Sequence, residues 1–164
     1  SGSQLYALPL YLDTLALLYN KDFFDKKAIA LPPTTWAEFQ TMVPKLREVN
    51  QNTGAVVKAA AAIGGSATSI NLQQDLLSAL FLQNNAPMTN ANFTEATFSS
   101  TQGLKALQFY LQFANSNSPL YTWNDTLHYS IDNFAAGNVA MIFNYHCQLQ
   151  ALKQKNPFLN LCYA

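Results

Sequence analysis

Residues 6–12 and 15–19 are two apolar runs of strand length, parted by the polar step Asp13-Thr14. A short amphipathic segment, Lys21-Asp22-Phe23-Phe24, follows the second run. Each run reads as a strand of a sheet. A carboxylate left unpaired inside a core costs on the order of several kcal/mol. Asp13 therefore has to sit at the mouth of whatever the two strands build, not within it.

Helical and strand patterns alternate along the rest of the chain. Thr35-x-x-Glu38 is a capping box, and behind it Trp36, Phe39, Val43, Leu46 and Val49 recur at helical spacing. Trp36 reads as a core residue. Pro44 falls inside this run and removes one backbone hydrogen bond, which predicts a kink. Residues 55–63 read as a short buried strand stopped by Gly64-Gly65, although their alanines also suit a helix. Residues 71–84 carry Leu72, Leu76, Leu77, Leu80 and Phe81 as a helical stripe, and a polar loop runs from there to Thr97. The next helix spans 101–114, with Leu104, Leu107, Leu111 and Ala114 as its expected buried face. A short helix at 130–136 ends at Gly137, whose tolerance of positive φ suits a C-terminal cap. A buried strand at 139–143, a helix at 148–155 and a strand-like end at 159–164 complete the pattern. Such alternation argues for an α/β layered domain.

The composition excludes several classes. A chain of 164 residues holds one domain with a full core. Nine basic and nine acidic side chains cancel, so no electrostatic footprint for nucleic acid or an anionic membrane is present. Charged residues make up 11%, against about 25% in an ordinary domain, and Asn and Gln carry much of the polarity instead. Neutral amides suit the binding of polyols, and they suit a plain polar surface equally. No apolar run approaches the roughly 18 residues that span a bilayer. Neither a leader nor a lipidation signal is visible.

An enzyme needs a nucleophile with its base, paired carboxylates or a metal cluster. His128 and His146 lie among no Cys or carboxylate set, and Gly64-Gly65-Ser66 lacks the lysine of a P-loop. Asp13 and Asp75 could form a glycosidase pair, yet no spacing demands it. No cofactor and no metal are expected. Cys147 and Cys162 match no zinc spacing and read as buried free thiols rather than a bridge. The sequons at Asn92 and Asn124 carry little weight. Ser1-Gly2-Ser3 reads as a cloning remnant, and a chain that starts and stops amid strand-like sequence is expected to be an excised lobe.

Three blocks share one likeness. They are the opening run through Pro32-Pro33-Thr34-Thr35-Trp36-Ala37-Glu38-Phe39, the helix start Ser99-Ser100-Thr101-Gln102-Gly103-Leu104, and Ile131-Asp132-Asn133-Phe134-Ala135-Ala136-Gly137-Asn138-Val139-Ala140-Met141-Ile142-Phe143. In this order they resemble extracellular solute-binding proteins of ABC importers, in the sugar-binding branch that includes maltose-binding protein. The resemblance implies one lobe of a two-lobe, periplasmic-binding-protein-like (type II) fold, with a mostly parallel sheet flanked by helices. Residues 4–164 would form most of the second, C-terminal lobe. It further implies a carbohydrate ligand, an ABC permease as partner, and an extracytoplasmic place, periplasmic or lipid-anchored at the cell surface.

Carried over by position, the resemblance points Asp13, Tyr11, Asn71, Gln74, Asp75, Asn144, Tyr145 and His146 at the ligand cleft. Cys147 stands where relatives place a tryptophan, and Tyr145 could take over its stacking role. Plainer roles stay open: Asp13 as a turn cap, Tyr11 as core, Asn71 as a helix N-cap, His146 as a satisfied polar group. Two other functions also stay open, an α/β protein-interaction module without a small-molecule ligand and a fragment of a carbohydrate-active enzyme.

Overall fold

A computed structural model of the protein describes residues 8–164. The first strand, β1 (Leu15–Asn20), passes straight into α1 (Lys21–Lys26), because the Asn20 side chain accepts from the Asp22 amide at 3.0 Å. Helix α2 (Trp36–Leu46) opens on Thr35, whose hydroxyl accepts from the Glu38 amide at 3.2 Å. The Glu38 carboxylate reaches one residue further back than a simple capping box, to the Thr34 amide at 2.8 Å and hydroxyl at 2.9 Å. Those bonds, the backbone one first, hold its pKa below the ordinary carboxylate range. Pro44 stands in the last turn, two residues before the helix ends. The backbone is extended at Arg47, so Val49 leaves the helical stripe and enters β2 (Glu48–Val49).

Strand β3 (Val56–Ala61) follows, its alanines in a sheet after all. Helices α3 (Gln73–Gln83), α4 (Thr101–Leu111) and α5 (Ser130–Ala135) then lead to β4 (Val139–Tyr145), α6 (Gln148–Lys155) and β5 (Leu161–Tyr163). The sheet order is β2-β3-β4-β1-β5. Only β3 and β4 pair in parallel; β1 is antiparallel to both its neighbours, and β2 to β3. The α/β layering holds, and the sheet is mixed rather than mostly parallel. Strands β4 and β5 do run the same way, but β1 lies between them pointing the other way. The apolar run before Asp13 is a second correction. Residues 6 and 7 lie outside the described ones, and Leu8, Leu10 and Leu12 are exposed, Leu12 to 98%. An apolar run becomes a strand only when a neighbour takes up its backbone, and no described residue does so here.

Side chains alternate across the sheet and fill two cores. Leu17 and Met141 face the layer of α2, α3 and α4, with Phe39, Leu80 and Phe113. Leu18 and Ile142 face the layer of α5 and α6, with Trp123, Phe134 and Leu152. Helix α4 is rotated from the expected face. Gly103, Ala106 and Tyr110 are buried, whereas Leu104 and Leu111 are exposed. The cause is Gly103: a Cβ there would fall 1.9 Å from the Phe98 carbonyl and 3.0 Å from the Phe81 ring, so only the small-residue face can approach α3. Trp36 is half-buried, not core, and donates its Nε1–H to Gln83 Oε1 at 2.7 Å.

The turn after β3 is built on Gly64, with φ +95° and its α-carbon pressed on α4. A Cβ would stand 2.8 Å from the Ala114 nitrogen and 2.9 Å from the Tyr110 carbonyl. Gly64→Ala therefore meets both a forbidden backbone region and a clash with backbone atoms. Urea unfolding is expected to show a loss of about 2 kcal/mol or more. An unchanged midpoint would mean that this turn is free to relax.

Candidate ligand-binding site

Leu15 pairs with Tyr145, so the start of β1 lies beside the end of β4. The parallel neighbour β3 ends at the same edge, and its chain runs on through residues 64–72 into α3. Ligands of open α/β sheets sit at this edge, beyond the carboxyl ends of the parallel strands.

Asn144 is fully buried and fixes the edge. Its Nδ2 donates to Asn71 Oδ1 at 2.9 Å, and its own Oδ1 accepts from the Tyr145 amide at 2.8 Å. Asn71 passes the bridge on, donating from Nδ2 to the Tyr129 hydroxyl at 2.6 Å and from its amide to Ser130 Oγ at 3.0 Å. Asn71 is thus occupied and does not cap α3. The N-cap position is Leu72, which offers no side-chain acceptor and holds φ +56°. A leucine in the left-handed region costs about 1 kcal/mol or more, and such strain gathers where a loop must be held in one shape.

Two carboxylates flank the bridge. Asp75, in the first turn of α3, accepts from the Tyr145 hydroxyl at 3.0 Å, and this bond chiefly raises the phenol pKa. Asp13 accepts from the Thr14 amide at 2.8 Å and from the Cys147 amide at 3.2 Å. The Cys147 thiol is the main cause holding the Asp13 pKa down, and in return Asp13 pushes the thiol pKa up. Asp13 therefore adds stability above the ordinary carboxylate range and loses it as the pH falls through its folded value. The thiol contributes in the opposite window, below its ordinary value.

This pairing has a direct test. Thiolate is the reactive form, so Cys147, although exposed, should alkylate slowly with iodoacetamide at pH 8. Asp13→Asn should speed it severalfold at that pH, by peptide mass mapping with Cys162 as the internal reference. An equal rate in both proteins would break the link between Asp13 and the thiol.

The structure brings Asp13, Asn71, Asp75, Asn144 and Tyr145 to one edge, with Cys147. Tyr11 is 86% exposed, which rules out its core role, and Gln74 is exposed. His146 is exposed too, its ring edge-on to Tyr163 at 5.2 Å. No described hydrogen bond joins these three side chains to the bridge. The thiols are free but not buried: Cys147 is exposed and Cys162 half-buried, because both fall at strand ends or edges.

Sequence reasoning missed Tyr129 and Ser130 as site residues, because they stand just before and at the start of the short helix α5. It also missed the brace behind them. Asp125 accepts from Ser69 Oγ at 2.6 Å and the Ser66 amide at 2.9 Å, which together hold its pKa down, the serine hydroxyl first. Trp123 Nε1 donates to Ser69 Oγ at 3.1 Å, and the Ser69 carbonyl accepts from the Ser130 amide at 2.8 Å. The one available signal was Asn124-Asp125-Thr126, a short polar turn that the tripeptide pattern disguises as a sequon. Beside the polar edge runs an apolar groove of about 730 Å³, with Leu15, Trp36, Phe39, Leu76 and Phe143 among its walls.

The chain matches the family model of bacterial extracellular solute-binding proteins over residues 1–161, and it belongs to that family. Among solved structures it is similar to an ABC transporter solute-binding protein from Thermotoga lettingae bound with α-D-tagatose. The two share 22% identity and a TM-score of 0.72, over 96% of this chain and 40% of that one. It is likewise similar to an ABC substrate-binding protein from Listeria monocytogenes in complex with cycloalternan, at 17% identity and TM-score 0.71, over 92% of this chain and 36% of the other. A third is UgpB from Mycobacterium tuberculosis in complex with glycerophosphocholine, at 17% identity and TM-score 0.68, over 93% and 35%. The chain thus spans well under half the length of each. These likenesses are of fold, and all three proteins are binders. Among the described residues no helix is long and apolar enough to cross a membrane.

Proposed function

We propose that residues 4–164 form most of the second lobe of a two-lobe receptor, which binds a carbohydrate outside the cytoplasm and presents it to an ABC-type permease. The observation that carries this reading is the edge where Asn71, Asp75, Asn144, Tyr145 and Asp13 converge, next to a fixed turn and an uncapped helix start. Carboxylates and amides on a braced frame are the acceptors and donors that sugar hydroxyls need. Family membership and the saccharide-bound neighbours support the same class. In a receptor of two lobes the second wall buries the rest of the ligand, so this lobe alone binds weakly, no tighter than roughly 1 mM.

Calorimetry of the two-lobe receptor against mono- and oligosaccharides is the test, with the 164-residue chain alongside. Affinity tighter than about 10 μM for one saccharide in the receptor, with none resolved for the lobe, is the expected result. A receptor that ignores every saccharide would remove the carbohydrate reading.

A further inference from the structure

We infer that the site takes neutral, hydroxyl-bearing ligands and turns away sugars that carry a carboxylate or a phosphate. This rests on the carbohydrate reading and sharpens it. Asp75 accepts from the Tyr145 hydroxyl, Asp13 accepts from the Cys147 amide two residues further on, and the charge of each raises the phenol pKa. The segments that build the edge, residues 13–16, 69–76, 128–130 and 144–148, contain no Lys or Arg. Basic side chains are placed elsewhere: Lys21 pairs with Asp25, Lys155 with Asp132, Arg47 with the Tyr121 carbonyl, and Lys58 lies over the Phe23 ring.

The start of α3 would ordinarily attract an anion, because its free amides and dipole present positive charge. Here Asp75 stands in that first turn and answers the charge from within. The Tyr145 hydroxyl holds its carboxylate there. An incoming phosphate or carboxylate then meets two like charges with no Lys or Arg in these segments to offset them, in a cleft that closing lobes would dry. A hydroxyl meets the reverse, two strong acceptors whose remaining lone pairs can take a further donor. The neighbours hold tagatose and cycloalternan but also glycerophosphocholine, which contains a phosphate, so the shared fold leaves ligand charge to side chains such as these.

Amide-resolved NMR titration of the two-lobe receptor tests the inference. The probes are glucose, galactose and mannose, each beside its uronate, and inorganic phosphate alone, at pH 7.5 and matched ionic strength. At least one neutral sugar should move the amides of residues 71–75 and 144–147. Its uronate should bind about tenfold more weakly or worse, and phosphate should move nothing there. The double variant Asp13→Asn with Asp75→Asn should bring the two affinities of that pair together. A uronate or phosphate that binds these amides as well as the neutral sugars overturns the charge selection. Silence from every sugar overturns the carbohydrate reading instead.

Discussion

Asp13→Ala is expected to weaken ligand affinity in the two-lobe receptor on the order of 10- to 100-fold. The ligand-free melting temperature should barely change. Asp13 precedes β1, its carboxylate is open to solvent, and its partners are two amides and a thiol that water can satisfy in its place. The fold therefore loses little when it goes. Once a ligand fills the edge and water leaves, the same carboxylate becomes a dry, charged acceptor. Asp13→Asn should lose less, since one acceptor oxygen remains. Titrations beside melts separate the cases. Normal binding by Asp13→Ala, or a collapse of its melting temperature, would make Asp13 a structural cap and move the site elsewhere.

Trp123→Ala should have the largest effect on folding. The indole is fully buried between the sheet and the α5–α6 layer, and its Nε1–H holds Ser69, which in turn holds the Ser130 amide. Removing so large a side chain costs about 3–5 kcal/mol, a large share of the 5–15 kcal/mol that a domain commonly has. Urea unfolding should show a midpoint far below that of the parent, or no folded baseline at all. Trp123→Phe keeps most of the volume and forfeits the hydrogen bond, for a loss nearer 1 kcal/mol. If Trp123→Ala unfolds at the parent's midpoint, the second core is not a single packed unit.

Elements were legible where a local signal acted alone. The Thr35 cap, the glycine after α5, and the apolar runs of β1 and β4 each declare themselves within a few residues. Errors arose where a distant partner decides. The face of α4 depends on how closely Gly103 lets Phe81 and the Phe98 carbonyl approach, which no hydrophobic period encodes. Whether the sheet is parallel or mixed depends on where and in which direction β1 inserts, and its own residues look the same either way. Five of the eight positions drawn from the family likeness, Asp13, Asn71, Asp75, Asn144 and Tyr145, meet at one edge, but Asn71 bridges Asn144 and Tyr129 rather than capping its helix. Amides serve either role equally well, so only the neighbours decide between them. Tyr129 gave no signal and Asp125 only a sequon-like tripeptide, because a brace formed from turns has no period to read.

The placement of β1 also has a price in time. It is the first strand of the described chain, yet its partners are β4 and β5, more than a hundred residues later. At the usual pace of synthesis, about 5–20 residues per second, Leu15 to Tyr19 would wait roughly 6 to 25 s for the first of them. The helices α2 to α4 can gather against β3 in that interval, but the sheet cannot close. Folding of this lobe is then a late event, set by the arrival of β4, and its rate should be the slow one of a chain that joins distant ends.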